Sequence, residues 1–324
     1  MMQHKNRKMA LVSLVALTLV LGTGACTRHS IPSNKESAPG PAGPLSDAIR
    51  TEDKFRVGGW PSGIAFDGLH IWVANSESGN VTKLKASDGS TVGTYAVGSR
   101  PFGIAFDGLH IWVANQGSDS VTKLRANDGS TVGTYAVGSR PSGVAFDGAH
   151  IWVTNYGSEN VTRLRASDGS SAGTYAVGRF PYGIAFDGAH VWVANSESAS
   201  VTMLEANEGS TVGTYAVGSH PLGVVFDGTY IWVANSGSGN VTRLGANDGS
   251  TVGTYAVGSY PYGIAFDGAH IWVTDSLGGN VIKLKASDGS TVGTYAVGSY
   301  PYGVVFDGTY IWVANYGSDN VSKI

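Results

Sequence analysis

A phrase of the form P-x-G-[IV]-[AV]-F-D-G-x-[HY]-[IV]-W-V begins at Pro61, Pro101, Pro141, Pro181, Pro221, Pro261 and Pro301, a constant spacing of 40 residues. A fixed period of this length means stacked or radially arranged copies of one supersecondary unit, because a single copy cannot bury its own apolar faces. One copy, Pro101 to Arg140, reads PFGIAFDGLHIWVANQGSDSVTKLRANDGSTVGTYAVGSR. Four short strands are expected in it: a (Gly103 to Phe106), b (His110 to Asn115), c (Val121 to Arg125) and d (Thr134 to Val137). Asp107-Gly108 joins a to b and Asp128-Gly129 joins c to d, both strong tight-turn signals. Strand b places Ile111 and Val113 on one side and His110, Trp112 and Ala114 on the other. With apolar residues on both faces, each small sheet must be covered twice, and face-to-face stacking does that.

Four strands per repeat in a radial arrangement is the pattern of an all-β propeller. The ends of the repeated region agree with a closed ring. Lys54 to Trp60 aligns with Thr94 to Arg100, so the region begins on an orphan strand d. It ends at Val321-Ser322-Lys323-Ile324, aligned with strand c. Six complete repeats and one split repeat predict seven four-stranded blades over 54–324, closed by the N-terminal outer strand pairing with the last blade. A closed ring needs no terminal cap.

The front of the chain is of another kind. Lys5, Arg7 and Lys8 precede an apolar run from Ala10 to Leu21. That run is shorter than the ~20 residues of a membrane span and fits the h-region of a signal peptide over 1–25. Cys26 is the sole cysteine. Gly24-Ala25-Cys26 resembles the lipobox of bacterial lipoproteins, with Thr23 where Leu is usual, which makes Cys26 the candidate lipidation site. The alternative is cleavage after Ala25, leaving a free thiol. Several acyl chains at ~0.8 kcal/mol per buried CH₂ anchor a protein stably, whereas one does not. Residues 26–53, rich in Pro, Ser, Ala and Gly, read as a tether that reaches roughly 30 Å as flexible coil. The expected location is therefore the cell envelope, with membrane contact through the lipid alone.

A net charge of −3 and 14% charged residues lack the basic excess a nucleic-acid binder needs, so nucleic acid is not an expected partner. F-D-G-x-H-I-W-V-A-N and the following V-T-K-L resemble the YVTN/YncE-like repeat family, and are similar to NHL repeats and to the streptogramin B lyase propeller. The resemblance implies a funnel-shaped ring with any ligand at one mouth of its channel. It is weak on function, since one propeller fold serves unrelated activities.

Seven copies of every position show what the scaffold leaves free. Trp72, Trp112, Trp152, Trp192, Trp232, Trp272 and Trp312 never vary and are expected to pack between blades. Asp67, Asp107, Asp147, Asp187, Asp227, Asp267 and Asp307 could ring one mouth and attract a cation, but the Asp-Gly turn needs them for its own geometry. The histidines after that turn belong to separate blades and cannot converge within ~2 Å of one ion. No metal and no cofactor is expected.

Variation concentrates in the d–a connection and the b–c loop, which emerge on one face of an antiparallel blade. The candidate ligand-binding residues are therefore Trp60, Arg100, Phe102, Arg140, Tyr156, Arg179, Phe180, Tyr182, His220, Tyr260, Tyr262, Tyr300, Tyr302 and Tyr316. Amphipathic aromatics and Arg are the side chains enriched at binding hot spots.

The reading these residues favour is a monomeric, non-enzymatic module that binds a peptide, a glycan or an envelope protein. A docking platform in the envelope would use the same face. An enzyme of the streptogramin lyase type is the other alternative. Similarity to that family would imply acid–base residues at the channel mouth, where it commonly has W-F-T-E at the end of strand b and a histidine after the blade proline. Here that strand ends in Asn75, Asn115, Asn155, Asn195, Asn235, Asp275 and Asn315, and His220 stands before Pro221. The face offers His220, Glu77, Glu197 and Asp275 as titratable groups, and no catalytic residue is assigned.

Overall fold

A computed structural model describes residues 54–324; the expected signal peptide, Cys26 and the tether lie outside the described residues. Those residues form 28 strands in seven four-stranded antiparallel sheets, with no helix among them. Six sheets run a-b-c-d in chain order. The seventh takes strands a, b and c from Pro301–Phe306, Ile311–Asn315 and Asn320–Lys323, and its strand d from Lys54–Arg56. Lys54 pairs with Ser322, Phe55 with Val321 and Arg56 with Asn320, so the two ends of the domain close the ring.

Two strands differ from expectation by more than one residue at an end. In the second blade, strand a begins at Pro101 rather than Gly103, and strand d spans Thr131–Ala136 rather than starting at Thr134. β-bulges account for both. The a–b register shifts between Pro101 and Ile104, while Lys123 faces Gly133 and Leu124 faces Thr131, which leaves Val132 as the extra residue. Strand b spans His110–Asn115 as its alternation predicts, and strand c spans Ser120–Arg125.

The core lies between blades. Trp72, Ala74 and Val81 of the first blade pack against Ile111, Val113 and Leu124 of the second. Trp312, Ala314 and Val321 of the last pack against Ile71, Val73 and Leu84 of the first. One side of strand b thus faces the next blade and the other side the previous one. Six of the seven repeated tryptophans are fully buried, and truncating such a side chain costs ~3–5 kcal/mol.

Each tryptophan is fixed by the a–b turn. Asp107 Oδ1 accepts bonds from the Leu109 and His110 backbone N–H groups at 2.8 and 2.6 Å, and Oδ2 accepts from Trp112 Nε1 at 2.7 Å. The indole-to-carboxylate bond recurs in all seven blades. Burial pushes the Asp107 carboxyl up, but the donors from Trp112, Leu109 and His110 outweigh it and hold the group below the ordinary carboxylate range. Asp67 and Asp267 are lowered by the same balance. These carboxylates are spent on their own turns and tryptophans.

A buried cation staples neighbouring blades. Lys83 Nζ lies 4.9 Å from the Trp72 ring centroid and donates to Ala126 O and Asn127 O of the next blade at 2.7 and 3.1 Å. Lys323 closes the circle by donating to Ala86 O at 2.8 Å.

The innermost strands approach so closely that only glycine fits after the proline motif. A Cβ at Gly103 would stand 1.9 Å from Ser142 O, and one at Gly303 would stand 2.4 Å from Ser62 O. Seven such glycines line the channel, and the residue before each one decides how the channel mouth is filled.

Candidate ligand-binding face

The two variable stretches lie side by side. Gln116 N donates to Arg100 O and Gly117 N to Ser99 O, both at 2.9 Å, tying the b–c loop to the d–a connection of the same blade. Equivalent bonds join Tyr156 to Arg140 and Tyr316 to Tyr300. The connection turns through a left-handed residue just before the proline: Trp60, Arg100, Arg140, Phe180, His220 and Tyr300 have φ between 49° and 55°. Glycine would hold that backbone at least cost. Large side chains stand there instead, on a strained backbone.

The rings make one continuous run around the mouth. Trp60 stacks on Tyr316 at 5.5 Å between centroids, Tyr316 on Tyr302 at 4.5 Å, and Tyr302 on Tyr262 at 4.0 Å. Tyr182 then meets Tyr262 edge-on, and its hydroxyl bonds to that of Tyr262. Tyr182 also meets Phe102 edge-on, so rings from blades that are not neighbours touch over the channel mouth. Burial pushes the Tyr302 phenol up to about 12, aided by Tyr316, Tyr260 and Tyr300, and also raises Tyr182 and Tyr262 well above the ordinary phenol range.

The run leaves a cup of about 210 Å³. Trp60, Tyr316, Tyr302, Tyr262 and Tyr182 border it together with Phe102 and Arg100; Ser76 and Gln116 complete the lining. An adjoining space of about 140 Å³ is walled by the glycine ring and shares Phe102, Tyr182, Tyr262 and Tyr302 with the cup.

Seven of the fourteen candidates therefore meet at the cup. Four others form a neighbouring cluster: Tyr156 stacks on Phe180 at 4.5 Å, Arg140 lies over Tyr156 at 4.9 Å, and Arg179 lies over Phe180 at 5.7 Å while pairing with Glu159 at 3.7 Å. Tyr156 touches Tyr182, which joins this cluster to the main run. His220, Tyr260 and Tyr300 share the face but do not border the cup. Ser76 and Gln116 border it without being among the candidates. Their place in the variable b–c loop was visible in the sequence, but their small or neutral side chains gave no signal. No group of three or more His, Cys, Asp or Glu side chains placed to hold a metal ion occurs among the described residues.

No family model and no curated protein matches the chain. Solved structures do. Kuenenia stuttgartiensis hydrazine synthase superposes with a TM-score of 0.73 at 22% identity, covering 83% of this chain and 96% of that one. A streptogramin B lyase gives 0.73 at 20% identity, covering 83% and 95%. The virginiamycin B lyase from Staphylococcus aureus gives 0.71 at 17% identity, covering 85% and 96%. These likenesses establish the fold: the chain is a seven-bladed β-propeller of four-stranded sheets, and at that level it is similar to the streptogramin lyase propeller.

Proposed function

We propose that this propeller is an exported binding module, held at a membrane through Cys26, whose ligand enters the cup at the channel mouth. The observation that carries the reading is the stacked run from Trp60 to Tyr262, which borders an open cavity instead of filling it. Rigid aromatics supply contact area at low entropic cost, and the left-handed backbone under Trp60 and Arg100 supports a role for those side chains beyond packing. The basic n-region, the apolar run to Leu21 and the lipobox-like residues before Cys26 support export and anchoring.

The test is a screen of the full chain in detergent against glycan, peptide and cell-wall fragment arrays, beside Trp60→Ala and Tyr316→Ala. The expected result is binding by the wild type, roughly 30-fold weaker in each variant, with melting temperatures little changed. Loss of fold in step with loss of binding would make the rings packing alone. Incorporation of labelled palmitate by the wild type and not by Cys26→Ser is the matching result for the anchor. Eliminative breakdown of a streptogramin B lactone in the same preparations would replace the binding reading with an enzymatic one.

A further inference from the structure

We infer that the cup selects a ligand bearing a carboxylate, received by Arg100, with only one terminal ring or residue of that ligand entering. The inference rests on the binding reading above and concerns what that same site takes.

Four observations point the same way. Arg100 is the only charged side chain in the lining, and no carboxylate borders the cup. The guanidinium fork matches a carboxylate with two parallel bonds. Second, the stacking of Tyr262, Tyr302 and Tyr316 at 4.0 and 4.5 Å covers their inner faces with one another. Such rings offer their edges and hydroxyls, and an aromatic edge is electropositive. Third, Gln116 and Ser76 add neutral groups able to donate hydrogen bonds. Fourth, burial raises the Tyr316 phenol and outweighs both charges that act on it, of which Arg100, which lowers it, is stronger than Glu77, which raises it. At about 210 Å³ the cup is smaller than the ~300–1,000 Å³ of a site that encloses a whole drug-sized ligand. One end of a ligand fits, and the remainder runs out over exposed Trp60.

Trp60 provides the readout. It is 41% exposed, whereas the seven repeated tryptophans are at most 7% exposed. Selective quenching of its emission therefore follows the cup. The probes are galacturonic acid trimer and its methyl ester, and N-acetyl-D-alanyl-D-alanine and its amide, titrated into the full chain in detergent. The expected result is that at least one acid binds, that its neutral counterpart binds roughly 10- to 100-fold more weakly, and that Arg100→Gln removes the difference. Arg100→Lys should restore part of it, and Arg165→Gln, on the opposite face, should bind like the wild type. Which acid binds tells a sugar carboxylate from a peptide end. Equal binding of acid and neutral forms, or full affinity in folded Arg100→Gln, would overturn the carboxylate inference and leave the binding reading standing. No binding of any probe by the wild type at millimolar concentration, with binding of some other array ligand, would overturn it equally. An array negative throughout would remove both.

Discussion

Asp275 and Ile282 have changed together. In the other six blades the asparagine at the end of strand b donates through Nδ2 to a Thr or Ser hydroxyl on strand c, as Asn115 does to Thr122 at 2.9 Å. A carboxylate cannot make that bond, and the sixth blade has isoleucine where the acceptor would be. Asp275 Oδ1 instead accepts from the Ser259 and Tyr260 backbone N–H groups at 3.2 and 3.0 Å. The left-handed residue of that connection is accordingly Gly258, at φ 108°, and not Tyr260. This explains why Tyr260, alone in its series, leaves the common backbone geometry.

The exchange leaves a flaw that can be repaired. Asn280 Oδ1 is buried without a partner, whereas its counterpart Asn80 Oδ1 receives Asn75 Nδ2. Asp275→Asn with Ile282→Thr should restore the arrangement of the other blades and be more stable than the two single changes predict by addition. The gain at Asn280 is partly offset, since Asn75 Oδ1 has no partner in that arrangement. Ile282→Thr alone should cost about 1–3 kcal/mol through lost packing. Urea unfolding of the four proteins measures the coupling. Strict additivity would show that the two positions do not communicate.

Ring closure depends on Phe55. Its ring lies 5.4 Å from Trp312 and covers Gly89, just as Tyr95 lies 5.5 Å from Trp72 and covers Gly129 one blade further on. Phe55→Ala removes that cover at the one seam made by the chain ends. A loss of about 2–3 kcal/mol is expected, lowering the melting temperature by roughly 4–12 °C. An unchanged melt would mean the seam carries little of the stability.

The fold was legible in the sequence because its signals are local and repeated. The 40-residue period set the blade count, and the alternation of Ile111, Trp112 and Val113 set which side chains share a face of strand b, with both faces covered by neighbouring blades. The orphan strand at Lys54 announced the closure. The candidate site was legible only as a face. Which aromatics border the cup depends on contacts over the channel mouth, such as Tyr182 with Phe102, between residues 80 positions apart. No periodicity records such a pairing. The bulge at Val132 and the stapling lysine were likewise hidden, since a Lys in V-T-K-L reads as solvent-facing until the next blade's carbonyls arrive.

Acid should unfold the domain late and steeply. Asp67, Asp107 and Asp267 are held below the ordinary carboxylate range in the folded state, so their contribution is fully present above the unfolded value near ~4 and is lost as pH falls through the folded one. Melting temperature should therefore stay level from neutrality to about pH 4 and drop below it. Asp107→Asn should lower the plateau, because an amide cannot accept from both Trp112 and the turn as the carboxylate does, and should shallow the acid limb. A variant with an unaltered acid limb would rule out this carboxylate as a contributor.

The alkaline side is governed by the cup. Tyr302 is raised to about 12, and Tyr182 and Tyr262 are raised as well, chiefly by burial. A raised folded value means stability intact below the unfolded ~10 and lost as pH climbs from there towards the folded value. Phenolate absorbance should show a group of tyrosines whose ionisation is delayed until the mouth opens. Tyr182→Phe should reduce the delayed group. One single titration of all tyrosines near their ordinary value would contradict the packing of the run.

The chain carries its own control for the stapling cation. Lys123 sits 4.8 Å from the Trp112 ring centroid and donates to Ala166 O and Ser167 O, while the equivalent residue two blades on is Met203, equally buried against its own blade's Trp192. Burial lowers the Lys123 amine, with Asp107 and Asp168 acting against that. If the main task of this position is to fill space over the indole, Lys123→Met should fall within about 1 kcal/mol of the wild type, since a thioether packs well on an aromatic ring and needs no solvation. Lys123→Ala should cost about 2–3 kcal/mol by leaving a void there. Chemical denaturation of the two variants separates the causes. A methionine variant as weak as the alanine one would show that the bonds to the next blade's carbonyls, and not the volume over Trp112, hold the neighbouring blades together.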